Sequence, residues 1–230
     1  MGSVPANHSL VKRAKNLRSL VTPARSRKSF VASLSDAVDL FDVGCGNDSP
    51  YQLKSARPDI RYVGLDVGDY NQEHDPSEYA DEYLVVPPEG FLPAIVVRSA
   101  QFDAVISSHN LEHCTDQDGV VVAMARALRP GGRIFLAFPA AATISMPSRN
   151  GTLNFFDDPT HVAPPDYDRV LDLLSTEGVV IDFAAERYRS PFYFFAGLIS
   201  EPFSRLLKRV NTGTWALYGF ETVIWGTKSA

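Results

Sequence analysis

The sequence predicts an α/β fold: a doubly wound, mostly parallel sheet flanked by helices, with an antiparallel last strand. Three observations lead there. Short apolar runs stopped by Gly or Pro alternate with stretches of helical spacing over residues 38–140, the first run ends in the glycine turn Gly44-Cys45-Gly46, and Gly219 to Gly226 alternates Phe220, Thr222 and Ile224.

Taken in order, Val38 to Val43 reads as a buried strand stopped by Gly44 and Gly46. Ser49 to Ala56 follows as a helix, with caps offered by Asn47 to Ser49 and an end at Arg57-Pro58. Arg61 to Leu65 is the second strand, Glu82 to Val86 the third, Phe102 to Ser107 the fourth and Arg133 to Phe138 the fifth. Between the last two, Gly119 to Leu128 has helical spacing and is closed by Arg129-Pro130-Gly131-Gly132. Residues 140–165 are loop-rich; a helix near Tyr167 to Glu177, a strand near Val179 to Glu186 and the closing strand at the sheet edge complete the reading.

At 230 residues the chain suits one large domain. We divide it into a basic helical arm, residues 1–35, and a domain, residues 36–230, with insertions over the acceptor at about 140–165 and 188–215. The longest apolar runs, such as Phe192 to Ile199, fall well short of the roughly 20 residues of a membrane span. Cys45 and Cys114 are too few for a disulfide framework and no zinc spacing occurs, so a cytoplasmic location and no metal are the expectations. The net charge is −5, yet seven of the 22 basic residues precede the first acidic one, Asp36: Lys12, Arg13, Lys15, Arg18, Arg25, Arg27 and Lys28. That arm reads first as a solvated helix face and second as a contact for an anionic partner, while the acidic body excludes nucleic acid as the main partner.

In Asp42-Val43-Gly44-Cys45-Gly46-Asn47-Asp48 the glycines let the backbone turn from strand to helix and approach a ligand closely. Asp42 and Asp48 would repel a pyrophosphate at the helix N-terminus, whereas S-adenosylmethionine carries an amine and a sulfonium and no phosphate. Asp66, 20 residues after Gly46, stands where a carboxylate accepts ribose hydroxyls. Alone, the Gly-x-Gly pair is also compatible with an ordinary tight turn.

The combination resembles class I S-adenosylmethionine-dependent methyltransferases with a Rossmann-like fold. The resemblance rests on Phe41 to Asp48, Gly64-Leu65-Asp66, Phe102 to His113 and Ala127 to Arg133, in the family's order. It implies S-adenosyl-L-methionine as cofactor, held by Asp42, Gly44, Cys45, Gly46, Asn47, Asp66, Val67, Ser107, Ser108 and His109. Two departures stand out: Asp48 replaces the usual third glycine, and Val85-Val86-Pro87-Pro88-Glu89 stands where a small-acidic pair near the adenine is common. Cys45 reads as a small filler rather than a nucleophile, because no base adjoins it.

For a hydroxyl acceptor a base helps, and His109, His113 and His161 are the candidates. His161, in Asp157-Asp158-Pro159-Thr160-His161, is expected over the site mouth; a surface histidine, or a divalent metal held by Asp157, Asp158 and His161, are the other readings. This Asp-Pro-x-His segment resembles those of methyltransferases that act on sugars, glycolipids and other small metabolites. The aromatic stretch Tyr188 to Phe195, continued by Ile199, Phe203, Leu206 and Leu207, is expected to be covered, in the core, as a lid or in a homodimer contact. An acceptor pocket and a weak membrane-surface contact with Lys208 and Arg209 are its alternatives. The expected function is O-methylation of a small molecule such as a saccharide, glycolipid precursor or natural product. The rivals are an NAD(P)-dependent oxidoreductase and a non-catalytic cofactor-binding partner protein.

Overall fold

In the computed structural model, which describes residues 24–230, the short apolar runs become the centre of one seven-stranded sheet. Strands β1 (Asp39–Val43), β2 (Arg61–Asp66), β3 (Glu82–Val85), β4 (Phe102–Ser108) and β5 (Leu128–Pro139) run parallel, with Phe41 opposite both Val63 and Val105. They are joined by β6 (Val179–Tyr188) and β7 (Glu221–Lys228), giving the order β3-β2-β1-β4-β5-β7-β6. β7 is antiparallel to both neighbours, with Leu136 and Ala184 opposite Ile224. The strands β1, β2 and β4 are buried nearly throughout, as strands covered on both faces must be.

The helices fall into two layers. On one face α1 (Arg27–Ala32) and α2 (Ser49–Ala56) bring Phe30 and Leu53 against Leu40, Tyr62, Ile106, Phe135 and Trp225. The opposite face carries α4 (Pro88–Val96), α5 (Gln117–Ala127) and α6 (Tyr167–Thr176), which bury Ile95, Met124 and Leu174 against Val63, Val105 and Leu136. A short α3 (Pro76–Tyr79) precedes β3. Of the basic arm, Lys12, Arg13, Lys15 and Arg18 lie outside the described residues; within them, Ser26 caps α1.

Three expectations change. The Pro/Gly stop after α5 sits inside β5: pairing passes from Phe102 with Leu128 to Ala104 with Arg133, so Arg129 to Gly132 bulge out of register. The last strand is not at the edge. Thr222 to Gly226 are buried on both faces and lie between two strands, whereas β6, exposed along much of its length, forms the edge. Finally, the aromatic stretch is a helix, α7 (Pro191–Leu207), followed by α8 (Thr214–Tyr218). Its inner side is fixed by Gly197, where a Cβ would meet the Gly213 carbonyl at 2.3 Å, and by Arg149. That buried guanidinium donates to both oxygens of Glu201, to Ser204 and to the Tyr218 hydroxyl. Phe192, Phe195, Ile199, Phe203, Leu206 and Leu207 remain exposed, contrary to the expectation that they are covered.

Candidate active site

β1, β2 and β4 end side by side, and the site is assembled from the turns that leave them. After Val43 the chain reverses through Gly44 (φ 80°), Asn47 (φ 56°) and Asp48 (φ 60°) into α2. Gly44 is required twice: its φ suits glycine, and a Cβ would come 2.5 Å from the Asn110 side chain. Asp48, in place of the usual glycine, holds its left-handed conformation by accepting the backbone N–H groups of Glu73 and His74 and His74 Nδ1 at 2.7 Å. Burial opposes its ionisation, but these bonds prevail and keep the carboxyl below its usual range.

Asp66 is 7% exposed and its Oδ1 accepts the Val67 N–H at 2.7 Å. A Cβ on Gly46 would lie 3.6 Å from Asp66 Oδ2 and 3.2 Å from the Tyr70 carbonyl, so that glycine leaves a cradle beside the carboxylate. Beneath the loop, Asp42 accepts from the Tyr62 hydroxyl at 2.6 Å and from Ser49, whose own Oγ receives Arg27 Nη1 at 2.9 Å. Asp42 Oδ1 is buried without a partner among the described residues. Burial pushes the Asp42 carboxyl up, against the pull of Arg27, Ser49 and Tyr62. Burial likewise raises Asp66; the Val67 N–H pulls it down and the Asp42 charge adds to the rise. The Cys45 thiol is pushed far up by burial and by both carboxylates. This concentration of negative charge repels a pyrophosphate and suits an amine and a sulfonium, so the donor set fits S-adenosylmethionine.

The sequence assigned Asp42, Cys45 and Ser107 to the cofactor, but their side chains are engaged below the surface. Ser107 Oγ donates to the Val43 carbonyl at 2.8 Å, tying β4 to β1, and Cys45 Sγ fills the space over Gly64. Gly44, Gly46, Asn47, Val67 and Ser108 keep accessible surface at the mouth.

Just past β4 the chain divides its attention. Asn110 lies on Gly44, while Ser108 lines a cavity of about 740 Å³ with Tyr188, Tyr193, Asn211, Trp215 and Glu221. His109 (φ 54°) sits between: Nδ1 is 3.2 Å from Glu112 Oε1, Nε2 is 3.0 Å from Glu221 Oε1, and its ring packs on Trp215. Burial works against its charge, but the hydrogen bonds it donates to the two carboxylates prevail and push its pKa up to about 10. His109 is therefore an imidazolium near neutral pH and does not fit the role of resting base expected for it. Glu221, Trp215 and Asn211 escaped the sequence reading, because they follow β6 in regions without a motif, whereas Tyr188 and Tyr193 belong to the aromatic stretch for which an acceptor pocket was an alternative.

His161 is also displaced from its expected place. Its side chain is 5% exposed; Nδ1 donates to the Phe155 carbonyl at 2.6 Å, and the ring packs between Phe155 and His113. His113 Nδ1 faces Thr160 Oγ1 at 3.0 Å. Neither histidine lines the 740 Å³ cavity. The metal alternative loses Asp157, which accepts from Ser148 and from the backbone of Arg149, Leu153 and Asn154. One ligand-type atom from each of Glu112, His113 and His161 instead lies within 4.8 Å of the others.

Residues 41–136 match the family model described as a methyltransferase domain. The chain carries a methyltransferase domain over that segment, which is less than half of its length. Over 110 residues it is 32% identical to the 27-O-demethylrifamycin SV methyltransferase of Amycolatopsis mediterranei (strain S699), a match spanning 45% of this chain and 40% of that protein. Among solved structures, an S-adenosylmethionine dependent methyltransferase from Mesorhizobium loti aligns with TM-score 0.60 at 14% identity, covering 90% of this chain and 99% of that one. The phosphoethanolamine N-methyltransferase 2 of Haemonchus contortus, in complex with S-adenosyl-L-methionine, also aligns with TM-score 0.60. It is 15% identical over 94% of this chain and 53% of its own. The methyltransferase domain contains the whole glycine loop from Phe41, Asp66 and the turn after β4, and its match ends within β5. The cavity walls from Tyr188 onward lie beyond it.

Proposed function

We propose that the protein transfers the methyl group of S-adenosylmethionine to a hydroxyl of a small molecule held in the 740 Å³ cavity. One observation carries the reading: within three residues at the end of β4, Asn110 contacts the glycine loop and Ser108 lines the cavity, so cofactor loop and acceptor space share one wall. When bound, the cofactor supplies an electrophilic methyl on a cationic sulfur, and the chain's own task is alignment and exclusion of water.

Asp66 is placed to accept the ribose hydroxyls, and the Gly44–Asn47 backbone to take the methionine portion. Tyr188, Tyr193 and Trp215 give the cavity aromatic walls that suit an apolar ring system or the faces of a sugar. Glu221 supplies the acceptor of a hydroxyl proton within that cavity, and His109, fixed by Glu112 on its other side, orients the Glu221 carboxylate. The named relative acts on a demethylrifamycin, which favours an O-linked natural-product acceptor, and the Asp-Pro-x-His segment favours a sugar or glycolipid. A hydroxyl on a small molecule is common to both.

Incubation of the purified chain with labelled S-adenosylmethionine and an acceptor panel, read as S-adenosylhomocysteine release and acceptor mass, tests the proposal. The expected result is a 14-Da gain on a hydroxylated acceptor, the mass of one methylene. Failure to bind S-adenosylmethionine by calorimetry would overturn it.

A further inference from the structure

The outer face of α7 has no role in the site just described. Phe192, Phe195, Ile199, Phe203 and Leu206 form a single stripe at helical spacing, with Leu207 beside it, and all six are 63–79% exposed. Contiguous apolar surface of this kind marks a contact site rather than ordinary surface scatter. The charges around it have one dominant sign. Residues 186–209 hold five cations, Arg187, Arg189, Arg205, Lys208 and Arg209, against Glu186 and Glu201, in a chain whose net charge is −5. Glu201 is bonded to Arg149 on the inner side of the helix.

The cations stand before the first turn of α7 and at its C-terminal end. Pairing with a second copy about a twofold axis would bring cations against cations: an antiparallel pairing sets Arg189 against Arg205, Lys208 and Arg209, and a parallel one sets each end against itself. An anionic lipid surface answers both features at once, with acyl chains for the stripe and headgroups for the cations. No helix among the described residues is long and apolar enough to cross a membrane, so α7 would lie in the plane of the interface. Its inner side supplies Tyr193 to the cavity, which Arg27 and Lys28 also line.

We propose that α7 docks the protein onto anionic membrane surfaces and that the cavity thereby receives acceptors held at the bilayer. The docking stands on the helix alone; the statement about acceptors rests on the proposed methyl transfer. The test is co-sedimentation of the full chain with vesicles of phosphatidylcholine, without or with roughly a third phosphatidylglycerol. Binding is expected to be at least about tenfold stronger to the anionic vesicles and to weaken with salt. The variant Phe195→Glu/Ile199→Glu/Phe203→Glu should lose that binding about tenfold or more, while its circular dichroism and S-adenosylmethionine affinity stay at wild-type levels. Arg205→Gln/Lys208→Gln/Arg209→Gln should reduce it selectively for anionic vesicles. Equal binding by wild type and both variants, no binding to either vesicle, or a wild-type dimer by light scattering that the glutamate variant converts to monomer would each overturn the proposal. Because vesicle binding needs no turnover, its failure is distinct from failure of the methyltransferase reading.

Discussion

Replacing His109 by Gln tests whether the ring between Glu112 and Glu221 is a cation in the folded protein. Its pKa rises from 6.5 to about 10, a difference that at about 1.4 kcal/mol per unit corresponds to roughly 5 kcal/mol. Solvent reaches 24% of the side chain, which reduces the expected contribution to about 2–3 kcal/mol. The sign follows from proton binding: between about 6.5 and 10 the folded state keeps the proton and the unfolded state releases it. The stabilisation is therefore complete below about pH 6.5 and disappears as pH rises through about 10. Urea unfolding at pH 7 and pH 10 should show the wild type losing about 2–3 kcal/mol more than His109→Gln. The same state implies that turnover does not rise through pH 6–7 on account of His109, as a resting imidazole base would require. Parallel losses of stability in the two proteins would refute the assignment of a buried imidazolium.

The other predictions address the two halves of the site and its support. Asp66→Ala should weaken S-adenosylmethionine binding by about 1.5–3 kcal/mol, roughly 10- to 150-fold by calorimetry, with the fold retained. Gly44→Ala, forced against Asn110 at positive φ, should abolish measurable cofactor binding; normal affinity would remove the ligand from this loop. Glu221→Gln should lower turnover about 10²–10⁴-fold with cofactor affinity within a factor of about two, whereas His161→Ala should change turnover by less than about tenfold. A chelator should leave methyl transfer unchanged, because the Glu112, His113 and His161 group does not line the cavity; loss of turnover with recovery on added Zn²⁺ would reverse that placement. Arg149→Met should lower unfolding stability by about 3–5 kcal/mol in urea titrations, since Glu201 would remain with its partner removed.

The parallel half of the sheet was legible because its information is local. Val38 to Val43 and Phe102 to Ser107 are too apolar to lie anywhere but inside, and the glycines and prolines around them mark where they stop. Ser49 to Ala56 was bounded correctly by Asp48 and Arg57. The place of β7 was not legible: Phe220, Thr222 and Ile224 announce a strand, but whether it lies at the edge or inside depends on which neighbour is left half exposed. α7 was hidden for a related reason. Four consecutive aromatic residues, Phe192 to Phe195, blur the helical period, and exposure of the stripe beginning at Phe192 contradicts the rule that large apolar residues are covered. In the site, glycines and Asp66 could be named from spacing, because cofactor loops are contiguous in sequence. The cavity could not, since Ser108, Tyr193, Trp215 and Glu221 come together only through the antiparallel return of β7. The histidines were judged by proximity to a motif, whereas their roles depend on partners 112 residues away for His109 and on a carbonyl six residues away for His161.

The central position of β7 also decides when this molecule can become a protein. Five strands and helices α1 to α5 are available once β5 has been made, but β6 has no partner in the sheet until Glu221–Lys228 has left the ribosome. Until then β5 presents an open edge carrying Phe135 and Phe138, and β6 waits beside it with nothing to bond. The sheet is therefore completed by the insertion of a strand between two others, a non-local step that is slower than the pairing of neighbouring segments. Removal of only the last few residues of β7 would not trim the molecule. It would split the sheet and release β6 along with the cavity walls that follow it.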